Sequence, residues 1–139
     1  MNQNISKLVQ NIGKAYKQDS RSVWVELPSS GIMKALQSVR DATERISDIT
    51  TYDNGKGRLE LTYRFCIEGV VLNVKTAVSS KDPKLPTCTS LFPGALLVER
   101  EQHEMFGVVF TGHPGLKGLL FAGNTPETPL RKRAKGVKE

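Results

Sequence analysis

A chain of 139 residues with 38% hydrophobic and 24% charged side chains is long enough to bury a core without metal or disulfide staples, and one domain is the default. No apolar run approaches the roughly 18 residues of a membrane span, and Met1-Asn2-Gln3-Asn4 has no basic stretch leading into an apolar one, so the chain reads as cytosolic and without a signal peptide. The net charge of +6 is local: Arg131, Lys132, Arg133, Lys135 and Lys138 crowd the last nine residues, and the rest carries 15 basic and 13 acidic side chains, which argues against a nucleic-acid-binding body.

The elements follow in chain order. Ile5, Leu8, Val9, Ile12 and Tyr16 recur at helical spacing and predict a first amphipathic helix ending near Lys17. Ser22 to Leu27 alternates as a short strand, stopped by Pro28. Ser29 or Ser30 is expected to cap a second helix carrying Ile32, Met33, Leu36 and Val39. Residues 45–52 form a strand candidate with Ile46 and Ile49. Asp53-Asn54-Gly55-Lys56-Gly57 is turn chemistry. Arg58 to Phe65 then alternates without a break, with Leu59, Leu61, Tyr63 and Phe65 on one side. Glu68-Gly69 suits a tight turn into a strand over Val70–Lys75, completing an antiparallel meander with one buried face.

Residues 79–89, with two prolines and no periodicity, read as loop. Ser90 is expected to cap a third helix, with Pro93 in its first turn and Gly107 ending it after Phe106. Positions 91, 95, 98, 102 and 105 form its expected core stripe. Val108 to Phe110 is a short extended piece, Thr111 to Gly115 a turn, and Leu116 to Phe121 one helical turn. The predicted fold class is α+β: a two-layer domain over residues 1–133 with a mixed, largely antiparallel sheet covered by helices, followed by a basic tail over 134–139.

The third helix carries Glu99-Arg100-Glu101-Gln102-His103-Glu104. His103-Glu104 begins like a zinc-protease motif, but the second histidine would fall at position 107, which is Gly. Glu99 and His103 share a helix face without an evident third ligand. Spacing alone favours a solvated face with Arg100–Glu104 and similar ion pairs, each worth about 0.3–0.5 kcal/mol. Cys66 and Cys88 read as two reduced thiols, and His113 as a turn residue held extended by Pro114. No phosphate-binding loop or nucleophile motif is present, so no catalytic, cofactor-binding or metal site is assigned. Two other classes stay open: a stand-alone enzyme using Glu101, His103 and Glu104, and a nucleic-acid-binding module using the tail.

One stretch carries more. Glu99-Arg100-Glu101 through Gly112-His113-Pro114 resembles the signature of the 30-kDa subunit family of respiratory complex I, the NADH dehydrogenase. Ser90 to Ala95 upstream and Pro129-Leu130-Arg131-Lys132 downstream fit as well, so the resemblance covers roughly residues 5–133. Glu104 stands where the family usually has Asp, and His103 where it often has an aromatic residue. Gly115-Leu116-Lys117-Gly118 stands where the family tends to read Asp-Leu-Arg-Arg, so this loop has lost charged groups. These departures point to the branch found in energy-converting membrane-bound hydrogenases and archaeal complex-I-like oxidoreductases.

The resemblance implies a non-catalytic structural subunit of the hydrophilic arm of a membrane-bound oxidoreductase, supporting electron transfer coupled to ion translocation. It implies no cofactor in this chain, with iron–sulfur clusters and a nickel–iron site belonging to partner subunits. The implied partners are the hydrogenase-like large (49-kDa-like) subunit and the iron–sulfur subunits of the same arm. Membrane contact would be indirect, through the complex, at the cytoplasmic face. The motif positions expected at the subunit interface are Glu99, Arg100, Glu101, Glu104, Phe106, Gly107, Phe110, His113, Pro114, Lys117, Arg131 and Lys132.

Overall fold

The alternation from Arg58 onward is what organises the structure. In the computed structural model, which describes residues 3–116, this segment is the ten-residue strand β4 (Arg58–Ile67). It lies inside a five-stranded sheet with β1 (Ala15–Gln18), β2 (Ser22–Glu26), β3 (Asp48–Asp53) and β5 (Val70–Ser79), in the order β1-β2-β5-β4-β3. Strands β3, β4 and β5 form the expected antiparallel meander, and β2 joins β5 in parallel. The sheet is therefore mixed, in agreement with the α+β class.

Glu68 and Gly69 both take positive φ, 51° and 80°, the geometry of a type I′ turn whose twist matches the flanking strands. Leu59, Leu61, Tyr63 and Phe65 are fully buried beside Leu72 and Val74 of β5 and Val23 and Val25 of β2. Each such apolar side chain contributes about 1.5–3 kcal/mol when taken out of water.

Helices α1 (Gln3–Ile12), α2 (Ile32–Arg40) and α3 (Ala95–Phe106) share one hydrophobic cluster with this sheet face. α1 contributes Ile5, Leu8, Val9 and Ile12, and α2 contributes Ile32, Ala35, Leu36 and Val39. Among the described residues nothing packs on the opposite face, which carries the polar half of each alternation.

Several boundaries differ from the sequence reading. The first helix stops at Ile12, and Tyr16 and Lys17 lie instead in β1, paired with β2. Gly13 intervenes, and a side chain there would meet Val25 Cγ1 at 3.0 Å, so the chain turns into the sheet at that point. Neither Ser29 nor Ser30 caps α2 through its side chain; Ser29–Gly31 form a single 3-10 turn leading into it. The third helix begins at Ala95, after turns through residues 89–94, with no side-chain cap from Ser90.

The supposed loop 79–89 contains the last residue of β5 and a short strand, β6 (Lys84–Pro86). β6 pairs in parallel with β7 (Val109–Thr111) as a separate two-stranded sheet. The helical turn expected over Leu116 to Phe121 lies outside the described residues from Lys117 onward, as does the tail.

Candidate functional site

Helix α3 and its flanks carry the motif. Its core stripe is rotated from the expected one: Ala95, Glu99, Gln102 and Phe106 face inward, while Val98 and Met105 are only half-buried. Glu99 is thus not on a solvated face. Its carboxylate is fully buried and accepts the Thr87 hydroxyl at 2.5 Å and the Cys88 N–H at 2.8 Å. Thr87 has one proton to give, so the Thr89 hydroxyl, 3.0 Å away, is the donor in its contact with Thr87. Glu99 therefore ties α3 to the segment leaving β6. Gln102 makes the second inward bond, accepting the Thr51 hydroxyl of β3 at 2.7 Å.

The surroundings of Glu99 shift its neighbours. Burial, followed by the Glu99 carboxylate, pushes the Cys88 thiol far above its usual range. Burial also raises the Tyr63 phenol, with smaller contributions from Cys88 and Glu99. Both groups are held neutral. A thiol held protonated in this way is a poor nucleophile and a poor metal ligand.

The two histidines act as fasteners. His103 Nδ1 lies 2.9 Å from the Val108 carbonyl and donates to it. His113 Nδ1 accepts the Gly115 N–H at 3.0 Å, which leaves Nε2 protonated and donating to the Leu96 carbonyl at 2.9 Å. The Gly-His-Pro turn is thereby pinned to the first turn of α3. Gly107 ends the helix in the left-handed conformation, φ 78°, as its position after Phe106 suggested.

The structure does not bring Glu101, His103 and Glu104 to one point: Glu101 is exposed, and the His103 ring is engaged with the Val108 carbonyl just before β7. No group of three or more His, Cys, Asp or Glu side chains gathers among the described residues.

The outward side of α3 is different in kind. Leu96 and Leu97 are 37% and 54% exposed, beside Arg100, exposed Glu101 and half-buried Glu104. Phe106 and Phe110 point into the core, while Pro114 is exposed at the turn. Lys117, Arg131 and Lys132 lie outside the described residues. Sequence reasoning missed Thr87 and Cys88 as the partners of Glu99, and it missed the exposed leucine pair. Adjacent leucines in an amphipathic helix were the available signal for the latter.

Residues 25–139 match the family described as respiratory-chain NADH dehydrogenase, 30 Kd subunit. The chain belongs to this family. The NADH-quinone oxidoreductase C/D subunit of Proteus mirabilis (strain HI4320) is 49% identical over 59 residues, covering 42% of this chain and 10% of that relative. The NADH-quinone oxidoreductase C subunit of Roseiflexus castenholzii (strain DSM 13941 / HLO8) is 48% identical over 59 residues, covering 42% and 34%. The aligned segment thus spans a tenth to a third of these two relatives.

The fold matches a chain from the membrane-bound sulfane sulfur reductase, an archaeal respiratory membrane complex. The TM-score is 0.78 at 22% identity, covering 89% of this chain and 77% of the other. It also matches the trypsin-resistant fragment of Nqo5, with a TM-score of 0.69 at 25% identity, covering 81% and 96%. Among the described residues of this family member, no helix is long and apolar enough to cross a membrane.

Proposed function

We propose that the chain is a non-catalytic structural subunit of the peripheral arm of a membrane-bound, complex-I-like oxidoreductase, docked through the outward side of α3 on the hydrogenase-like large subunit. The observation that carries this reading is the exposure of Leu96 and Leu97 on α3 beside Arg100, Glu101 and Glu104 of the family motif. An apolar centre rimmed by charges of both signs is the anatomy of a protein interface. Relatives whose name joins C and D in one polypeptide support a D-type large subunit as the neighbour.

In this reading the chain holds no redox group. Iron–sulfur clusters, and a nickel–iron site in hydrogenase-type relatives, reside in partner subunits at the cytoplasmic face of the membrane. The altered loop at Gly115-Leu116-Lys117-Gly118 favours the branch of energy-converting hydrogenases and archaeal oxidoreductases. The chain's contribution to electron transfer and ion translocation is to hold the arm together.

The test is to purify the parent complex carrying Leu97→Glu or Arg100→Ala. Leu97 is exposed, so the free variant should melt within a few degrees of wild type, whereas the complex should lose this subunit and its activity together. A complex of normal composition and wild-type turnover overturns the docking assignment.

A further inference from the structure

The large hydrophobic side chains left exposed among the described residues are Tyr16, Tyr52, Val71, Leu96 and Leu97. They fall in two patches on opposite sides of the sheet. Leu96 and Leu97 belong to α3. The other three lie on the sheet face that no helix covers.

That face is ordered by its register. Trp24 of β2 stands beside Asn73 of β5, then Arg64 of β4, then Asp48 of β3. Asn73 donates to the Val23 carbonyl at 3.2 Å and accepts Arg64 Nε at 3.1 Å, and Arg64 reaches Asp48 at 3.3 Å. One row further, Lys75 and Glu60 pair at 2.6 Å. Lys17 sits 6.0 Å from the Trp24 ring centre, and Tyr16 packs on the same ring at 6.5 Å. Arg58 donates to the Ala77 carbonyl at 3.4 Å. A hollow of about 330 Å³ opens between Trp24 and Tyr52, walled by Lys75 and Glu60 and floored by Thr50 and Thr62.

We infer that this uncovered sheet face is a second protein-docking surface, which takes a net-neutral surface of another subunit of the assembly and receives an apolar side chain in the hollow between Trp24 and Tyr52. The inference rests on the subunit reading above. The chemistry selects the occupant. Lys17, Arg58, Arg64 and Lys75 stand against Glu26, Asp48 and Glu60, one charge from balance, and each of those cations already has a partner on the face.

A phosphate backbone or an anionic membrane would need a cluster of unpaired cations; here Arg64 and Lys75 are closed in ion pairs, and Lys17 and Arg58, on the Trp24 ring and the Ala77 carbonyl, stand apart on different strands. A strongly charged protein would have to break pairs already formed. A neutral protein surface leaves them intact and gains by covering Tyr16, Trp24 and Tyr52, the residue types in which interfaces are rich. Because α3 lies across the sheet, a partner seated on its outward side leaves this face free for a different subunit.

The chain carries its own probe. Cys66 is exposed on this face, opposite Val71, while Cys88 is buried in the core. Maleimide labelling followed by intact-mass measurement is made on the full chain alone and on the purified assembly. Cys66 should react at least ten times more slowly in the assembly, with Cys88 unlabelled in both. Equal rates, with the subunit present, overturn this inference and leave the α3 docking standing. Failure of the chain to purify with any partner overturns both.

Protection in the full chain alone gives the face to another occupant and also overturns the inference. If it grows with concentration, the occupant is a second copy; if it is independent of concentration, the occupant is the chain's own residues 117–139. A second variant guards the result: Tyr52→Thr, which keeps a strand-favouring residue at an exposed position without setting a second carboxylate opposite Glu60, should leave the free chain melting within a few degrees of wild type and reduce the subunit's yield in the assembly severalfold.

Discussion

At the scale of single residues, Glu99 decides how the motif works. A glutamate with no exposed surface is expensive unless its oxygens are engaged, and here the Thr87 hydroxyl and the Cys88 N–H engage them. Glu99→Ala would leave both donors buried without an acceptor, each costing about 1–3 kcal/mol. Together with the lost side-chain volume, the expected destabilisation is about 3–5 kcal/mol in urea unfolding. Glu99→Gln keeps the shape and one carbonyl acceptor but turns an amide N–H toward a donor, so about half that loss is expected. An alanine variant within about 1 kcal/mol of wild type would remove the structural role assigned to this carboxylate.

Cys88 makes a pH-dependent prediction in the same place. Burial and the nearby Glu99 carboxylate hold its thiol protonated far above the ordinary value of 9.0. The folded state therefore keeps a proton that the unfolded chain releases near that pH. Stability from this group is complete below pH 9 and is lost as pH rises beyond it. Tyr63, raised above its ordinary 10.0, adds a second loss of the same sign at higher pH. Cys88→Ala should flatten the decline in urea midpoint between pH 9 and 10, whatever it costs at neutral pH. An unchanged slope would show that the thiol does not titrate with unfolding.

At the scale of elements, legibility followed locality. β4 was readable because Leu59, Leu61, Tyr63 and Phe65 repeat at period two beside polar residues of the opposite face, and its turns announce themselves as Asn-Gly and Glu-Gly pairs. The phase of α3 was not readable. Hydropathy places a glutamate outside, and nothing local reveals that Thr87 and Cys88, some eleven residues upstream, will satisfy it. Ala95 and Gln102 belong to the expected stripe and to the buried one, but the apolar Leu91, Val98 and Met105 drew the expected phase away from Glu99 and Phe106. β6 was invisible for a similar reason: its partner β7 begins 25 residues later, and Pro83 and Pro86 mark it as irregular. The first helix ran too long because Tyr16 continues a period that Gly13 had already ended. The motif's residues were found in sequence, but their division between an inward clasp and an outward surface needed the third dimension.

At the scale of the whole molecule, the exposed hydrophobic patches and the excess of positive charge are kept apart. Leu96 and Leu97 form one apolar patch, the sheet face forms a second with its ion pairs closed, and the excess positive charge belongs to the last nine residues. Retention of this chain in its assembly should then have a part that salt barely touches, from apolar burial, and a part that salt screens, from the basic arm lying along an acidic neighbour. Deleting residues 131–139 lowers the net charge from +6 to +2 and removes only the second part. The truncated chain should remain bound at low ionic strength and be stripped from the complex at lower potassium chloride concentration than the full chain. The Leu97→Glu variant should instead be weakly held at every salt concentration. If truncation leaves the salt profile of retention unchanged, the arm makes no contact in the assembly, and the chain is held by its two folded surfaces alone.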